Sequence, residues 1–585
     1  MSQRRFTVHP LVVRRLTVLA THDVTPRMRR VTLGGPELGA FTRDGLDLPA
    51  FVSGTFDDHV KVLLASDGPL EDILPVQLAH GIEWTVAEAR IDRDYTPRRV
   101  SATELDLDFV VHSSDPAHAA GPAEAWAVTA AVGDELAIVG PKSSTVLPTN
   151  VDRVVLVADE TGLPAIGRYL EQRPVAAPVT AVIAIGDASA RQDLAFGPED
   201  DVVWVVAAPG DAEPVMAAVR DLDPSVWRGR PYVWAGAEAR SLLPLRRLVS
   251  REHGVPKDCV DITGYWHQRV ATAEEVMQAD LVEHTAPAVT LPPAPVSWLA
   301  LRAALQLGVL DAVDEQQDAG GTTREQVEER LALPTGSLSE LVAVLLEESL
   351  LNADSSLLSL ADPVRELLAD EHEREELDGP EADAVLALAD LAAAFRGGAS
   401  AWEVRFGQSL AESAQTDEEL AEELEHESEG LAYLMPGLVG LPWWEDTPRV
   451  AVAGPGRDAV LSALRESTSA RCVAAADDES WAATDVLVEA RSLTHRTDHE
   501  VRAHLASRLG TTPTLVLVEP TRPDALGPGG AAEALVQVAR TGAGPRSTVR
   551  LTALAAAAGW SVSSTHDLGW GVTALALAPT AMLDR

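Results

Sequence analysis

The chain has 585 residues and a formal charge of −42. That length exceeds what one core can serve, so several domains are expected, and the acidic balance argues against a nucleic-acid partner, which needs clustered positive charge. No apolar run reaches the length of a bilayer span, and none follows Arg4-Arg5, so no membrane partner and no leader are expected and a cytoplasmic location is.

The first 148 residues read as short strands. Residues 11–18 alternate loosely, and 28–33, 60–65 and 109–112 are apolar, with Gly, Pro and Asp between them. This is the pattern of a small β-barrel. From residue 149 to 270 the pattern changes to strands (154–158, 179–185, 202–207, 231–234) alternating with helices (164–171, 215–222, 242–252), which predicts a parallel sheet. Residues 271–296 form a linker closed by Pro287, Pro292, Pro293 and Pro295, expected to separate two independent cores. Residues 297–440 have helical spacing of Leu and Trp. Residues 441–585 return to α/β alternation, with strands at 450–452, 485–489, 515–518 and 571–578.

Cys259 and Cys472 stand far apart and suggest neither a disulfide framework nor a metal site. No His/Asp/Cys cluster suited to ligating a transition metal is evident. The only lysines are Lys61, Lys142 and Lys257.

The chemistry concentrates in Arg93-Asp94-Tyr95-Thr96-Pro97-Arg98, followed by the 108–112 segment ending at His112 and by Gly121-Pro122 with Trp126. In Arg-x-Tyr, alternation puts both side chains on one strand face. A planar guanidinium suits phosphate and a phenol ring suits a flat partner. Gly121 allows a close backbone approach. The Asp159-Glu160-Thr161-Gly162-Leu163-Pro164 loop opens a helix, whose free N–H groups suit an anion, although its two acids would repel phosphate.

These residues, in this order, resemble the siderophore-interacting proteins, a branch of the ferredoxin-reductase-like flavoproteins. The resemblance also rests on Asp57-Asp58-His59-Val60-Lys61, Gly140-Pro141-Lys142-Ser143-Ser144, Trp234-Ala235-Gly236 and Gly264-Tyr265-Trp266. It implies a flavin barrel followed by a nucleotide domain. FAD would be held by Arg93, Tyr95, Thr96, Arg98, His112, Gly121, Pro122, Trp126, Lys142, Ser143 and Ser144. Asp159, Glu160, Thr161, Pro164, Trp234, Tyr265 and Trp266 would line the NADPH or NADH side. It implies reduction of a ferric siderophore to release Fe(II), with Lys61 and Arg98 at a basic lip and no resident metal. The family usually has arginine where this chain has His267.

Residues 297–579 resemble class I O-methyltransferases with a winged-helix dimerisation segment. The resemblance rests on the 305–312 helix opening, the 341–351 helix, Leu358-Ser359-Leu360 and Ala555-Ala556-Ala557-Ala558-Gly559-Trp560. It implies a Rossmann-like α/β fold and a homodimer through this half. The cofactor loop departs from the pattern: Ala451 replaces the acid, Asp458 the last glycine, and Asp477 or Asp478 would serve the ribose. Thr494 occupies the base position, with His495 shifted by one. No S-adenosylmethionine binding is therefore expected. Two alternatives stay open: a siderophore- or metabolite-binding protein without turnover, and a bifunctional reductase and methyltransferase.

Overall fold

The computed structural model describes residues 6–87, 89–111, 121–266, 295–317, 320–369, 371–444, 449–475, 484–521 and 530–580. His112, His267, Asp477, Asp478 and most of the expected linker lie outside the described residues.

The first domain is built on one antiparallel sheet of seven strands. Their spatial order is Pro97–Val100, Glu104–Val110, Met28–Gly34, Val13–Thr25, Glu135–Val139, Val60–Ala65 and Arg90–Tyr95. The first and last of these are the sheet's edges, yet they are consecutive in sequence and joined by Thr96 alone. The Arg-x-Tyr-Thr-Pro-Arg motif is therefore the seam at which the barrel closes. Pro97 suits it, because a residue without N–H is tolerated at an edge, and the register slips between Pro97 and Arg99. The apolar interior holds Leu16, Val31, Leu33, Val60, Val62, Leu107, Phe109 and Ile138. The helix Pro122–Thr129 adds Ala123 and Ala127 to it.

The second domain is a five-stranded parallel sheet in the order Asp201–Val206, Val179–Ile185, Arg153–Ala158, Pro231–Glu238, Val260–Trp266. The chain order reverses between the third and fourth of these, and the crevice outside such a switch point is where open α/β sheets bind ligands. The Asp159–Gly162 turn stands there. Only glycine fits at 162, where a β-carbon would lie 2.4 Å from the Gly236 carbonyl oxygen. The helix expected over 242–252 is a short α-helix, Leu243–Arg247, continued by a π-helical turn, Leu248–Glu252.

The second half begins with helices Val296–Gln306 and Val309–Gln317, and a three-stranded sheet whose hairpin is Leu351–Asp354 and Leu357–Leu360. Leu305, Leu310, Leu345 and Leu351 fill this segment's own core, while Val296, Leu299 and Leu307 stay exposed. The last domain is a six-stranded sheet ordered Arg471–Ala474, Arg449–Ala453, Val486–Ala490, Thr514–Pro520, Val572–Pro579, Trp560–Gly569. The first four strands are parallel and the final hairpin is antiparallel. Strand Arg471–Ala474 is followed by Val486–Ala490 after only residues 475–485, fewer than the dozen or more that a helical crossover takes.

The two halves are not held apart, contrary to the expectation drawn from the linker. The tip of the Trp560–Gly569/Val572–Pro579 hairpin docks on the outer face of the barrel. Trp570 packs against the apolar cluster of Leu63, Ile73 and Ile82 as well as its own domain's core. The Gly571 N–H donates to Glu83 Oε2 at 3.2 Å. Trp570 and Gly571 form a two-residue turn in which both have positive φ, 51° and 69°. Such turns favour Asn-Gly; an aromatic residue in the left-handed region is strained, and here docking holds it. Further along, Arg247 pairs with Asp314 at 3.3 Å.

Among the described residues no single helix is long and apolar enough to cross a membrane.

Candidate functional site

The seam presents its chemistry on two faces. Arg93 and Tyr95 oppose Val62 and Val60, so they share the face of the barrel interior. Tyr95 is half-buried with its ring 4.4 Å from Phe109, which in turn lies 5.6 Å from Trp126. Burial pushes the Tyr95 hydroxyl well above its ordinary range. Arg93 is exposed and donates to the carbonyl of its neighbour Asp92 at 2.7 Å. Among the described residues no carboxylate pairs with it, which leaves the guanidinium available to an anion. The helix at Pro122 has Gly121 as its N-cap with no side-chain cap, and the space where a β-carbon of Gly121 would stand is open. An uncapped helix start and a free arginine suit a pyrophosphate; an aromatic row suits a flat ring. These residues fit FAD.

Thr96, at the seam, is buried and hydrogen-bonded to Tyr265, whose hydroxyl is pushed far above its ordinary range, first by burial and then by Asp57. The Tyr265 ring meets Trp234 edge-on at 6.2 Å. Asp159 ties this side together. Its carboxylate accepts from the Thr161 N–H at 2.8 Å, the Glu238 N–H at 3.0 Å and Trp266 Nε1 at 2.8 Å. Burial nevertheless raises its pKa. Pro164 starts the buried helix Leu163–Gln172.

Three expected cofactor or substrate residues have other occupations. Arg98 turns away from the seam and clamps Glu171 of the second domain at 2.9 and 2.7 Å, with 6% of its side chain exposed. It joins the two domains, and the nitrogens expected to meet a cofactor or substrate are engaged by this carboxylate. Ser144 is buried: it donates to Asp58 at 2.9 Å and lies 2.8 Å from His9 Nε2. Glu160 is held by Arg27 at 2.7 and 3.0 Å, so the acid that would repel a phosphate is already paired. Ser143 sits half-buried opposite Val8, and Trp234 is a buried core anchor.

Lys61 opposes Asp94 and Val139, on the outer face of the sheet, and pairs with Asp92 at 3.1 Å and Asp94 at 3.3 Å. Lys142 is exposed nearby. Because Arg90–Tyr95 is an edge strand, this outer face meets the Arg93–Tyr95 face at the seam.

Residues missed in the sequence lie beside Thr96. Asp58 is the acceptor hub for Ser53, Thr55 and Ser144. Arg168 donates to the Pro97 carbonyl at 3.0 Å and to Ser53. Asp57 has a buried Oδ1 without a partner among the described residues; burial, then Asp261 and Asp58, push its pKa to about 7. Only the Asp57-Asp58 pair, quoted for the resemblance, pointed here.

In the second half, Gly454 and Gly456 face protein. A β-carbon at Gly456 would meet Leu431 at 2.4 Å, and one at Gly454 would meet the Ala490 carbonyl at 2.3 Å. Ala451 is a buried strand residue, whereas Asp458 is 78% exposed and does not crowd the loop. Thr494 donates to Glu519 at 2.8 Å, and burial raises the Glu519 carboxyl to about 7. His495 is buried and neither ring nitrogen has a hydrogen-bond partner among the described residues, although Nε2 lies 3.8 Å from Glu427 Oε2; burial, then Arg540, Arg491 and Arg496, hold it neutral. No iron-ligating cluster was evident in the sequence. The fold does bring Glu381, Glu423 and Glu427 within 4.8 Å of one another in this half, with Glu427 paired to Arg540.

Two family models match the first half: the siderophore-interacting FAD-binding domain over residues 17–145 and the siderophore-interacting protein over 151–269. The NADPH-dependent ferric-chelate reductase of Escherichia coli (strain K12) is 29% identical, over 44% of this chain and 93% of its own. The ferric vibriobactin reductase ViuB of Vibrio cholerae is 26% identical, over 46% and 92%. The structure of a siderophore utilization protein from T. fusca is 35% identical and covers 47% of this chain and 100% of its own, with TM-score 0.39. An O-methyltransferase (NcsB1) from neocarzinostatin biosynthesis is a solved neighbour at 22% identity, covering 50% of this chain and 100% of its own, with TM-score 0.37. Through residues 17–269, with the barrel seam and switch-point crevice described above, the chain belongs to the siderophore-interacting protein family.

Proposed function

We propose that the first half is an FAD-dependent reductase that takes electrons from NADPH or NADH and passes them to a ferric siderophore, which then releases Fe(II). The observation that carries this reading is the seam, where an exposed Arg93 with no carboxylate partner among the described residues, the Tyr95 aromatic row and the Thr96–Tyr265 bond stand beside the switch-point crevice. FAD supplies the chemistry that links two-electron donors to one-electron acceptors. The chain's own residues do the rest. Arg93 and the Gly121 N-cap neutralise the pyrophosphate. Tyr95 covers the ring. Thr96 serves the polar edge, with Tyr265 kept protonated as its partner. Asp159 fixes Trp266 and the 238 backbone so that a donor nucleotide meets a rigid wall. The iron is cargo: its site needs charge and access, not ligands.

The second half is read as a methyltransferase-like domain without methyl transfer. Leu431 and Ala490 fill the space beside the glycine loop, and the connection over 475–485 is short. Self-association through exposed Val296, Leu299 and Leu307 is part of this reading.

The test is direct. Purified protein should be yellow, bleach anaerobically with NADPH or NADH, and deliver Fe(II) from a ferric siderophore to a coloured Fe(II) chelator. A colourless protein that cannot be reconstituted with FAD overturns the reading.

A further inference from the structure

The helical segment and the last domain bring three carboxylates and a buried histidine together. Glu381 stands in the first turn of helix Pro380–Ala387. Glu423 lies on helix Glu418–His426, and Glu427 caps the C-terminal end of that helix. One oxygen from each lies within 4.8 Å of the other two, and all three residues are half-buried. Their spacing of four puts Glu423 and Glu427 on one face, at the end where the helix dipole is negative. Carboxylates there repel one another and the dipole, and a cation relieves both. Arg540 does so in part, taking Glu427 Oε1 at 2.7 Å. The other oxygen, Oε2, faces His495 Nε2 at 3.8 Å. His495 is 5% exposed, and neither of its ring nitrogens has a hydrogen-bond partner among the described residues. A buried imidazole with two idle nitrogens, one of them aimed at a carboxylate cluster, is costly unless something completes it. Arg491 and Arg496, whose charges also reach the ring, are shared with Glu519 and Glu500. The ring stays neutral, the form that offers a lone pair to a metal.

We infer that Glu381, Glu423, Glu427 and His495 form a site for a first-row divalent cation, so that the second half holds Fe(II) released by the first. Three carboxylates and one imidazole suit Mn(II) and Fe(II), whereas thiolate sets select softer ions. Metal–donor bonds of about 2.1 Å span at most about 4.2 Å, so the gap between Glu427 and His495 is bridged as it stands. The carboxylates need to close by at most about 0.6 Å from their 4.8 Å limit. His495 meets the cluster at Glu427, which makes Glu427 the pivot between the helical segment and the last domain. Three carboxylates and Arg540 leave two negative charges, which a divalent cation neutralises. Because the three glutamates are half-buried, the ion has a way in from solvent. That the ion is Fe(II) rests on the ferric-siderophore reading above; the cation site does not.

The test uses the full-length protein and manganese(II) chloride, followed by loss of the free-ion electron paramagnetic resonance signal. Wild type is expected to take up one tight Mn(II) per chain. Glu423→Gln and His495→Gln should each weaken it roughly tenfold or more. With cobalt(II) as the probe, His495→Gln should also shift the visible ligand-field bands, because a nitrogen donor is lost. Far-UV circular dichroism and flavin content should stay as in wild type. Should His495→Gln fail to fold, Glu381→Gln, at a half-buried position, decides in its place. No uptake by wild type overturns the site. So does uptake that these variants leave unchanged, since the ion then sits elsewhere on the acidic surface. For the iron, anaerobic turnover of ferric EDTA with NADPH or NADH should leave one Fe(II) per chain that wild type keeps against a weak Fe(II) chelator and Glu423→Gln gives up. Wild type that binds Mn(II) but reduces no ferric chelate keeps the cation site and sinks the reductase reading. Wild type that reduces ferric chelates and binds no Mn(II) sinks the site alone.

Discussion

Arg98 grips Glu171 with both terminal nitrogens, at 2.9 and 2.7 Å, and so ties the strand after the seam to the first helix of the nucleotide domain. Glu171 is more than a third exposed, which screens the pair. Its contribution is about 0.5–1 kcal/mol rather than that of a fully buried pair. Arg98→Gln should lower the thermal midpoint of the first half by a few degrees and leave flavin content and spectrum intact. Loss of flavin in this variant would return Arg98 to the cofactor.

Arg93→Ala and Tyr95→Ala should each weaken FAD retention. The first removes a charge-assisted contact of about 1.5–3 kcal/mol, or roughly ten- to a hundredfold in dissociation constant. The second removes the ring cover and should also shift the flavin absorption band. Fluorimetric titration of the apoprotein with FAD reads both effects; unchanged affinity in the two variants would move the flavin elsewhere.

Asp57 carries a pH signature. Its folded-state value of about 7 lies above its ordinary 3.8, so the folded protein holds a proton that the unfolded chain gives up. Stability from this group is whole below about pH 4 and is lost as pH rises through about 7. Asp57→Asn should match wild-type apoprotein near pH 4 and exceed it at pH 8 by up to about 4 kcal/mol, less where Asp58 and Asp261 share the proton. Urea unfolding at the two pH values measures this. Equal stability at pH 8 would mean the carboxyl is ionised at no cost.

Trp570 sits where a two-residue turn favours asparagine. Trp570→Asn should keep the hairpin, relieve the backbone and remove the apolar anchor on Leu63, Ile73 and Ile82. Calorimetry is expected to resolve separate unfolding transitions for the two halves in this variant and overlapping ones in wild type. Deleting residues from 294 onward should likewise expose the docking face and lower the stability of the reductase half. An unshifted transition in Trp570→Asn would show that the halves fold without regard to each other.

S-adenosylmethionine should give no binding heat with wild-type protein, because Leu431 and Ala490 line the space beside Gly454 and Gly456. Micromolar binding would reopen methyl transfer and direct attention to His495 and Glu519.

The sequence by itself determined the order of domains, because hydrophobic period and turn residues are local properties. The strands at 60–65, 179–185 and 515–518 were legible for that reason, and so was the flavin motif, whose alternation puts Arg93 and Tyr95 on one face. Strand Arg471–Ala474, too short to show a period, was not. Only the tertiary structure decided what each charged side chain does. Arg98 and Glu160 looked like cofactor contacts, but their partners, Glu171 and Arg27, lie 73 and 133 residues away, a distance no spacing rule spans. The same holds for the junction of the halves. Trp570 lies just ahead of the strand expected at 571–578 and Tyr433 within the helical 297–440 region, with nothing local to mark either as a contact, and it is packing against a barrel more than 280 residues upstream that joins them to the flavin half.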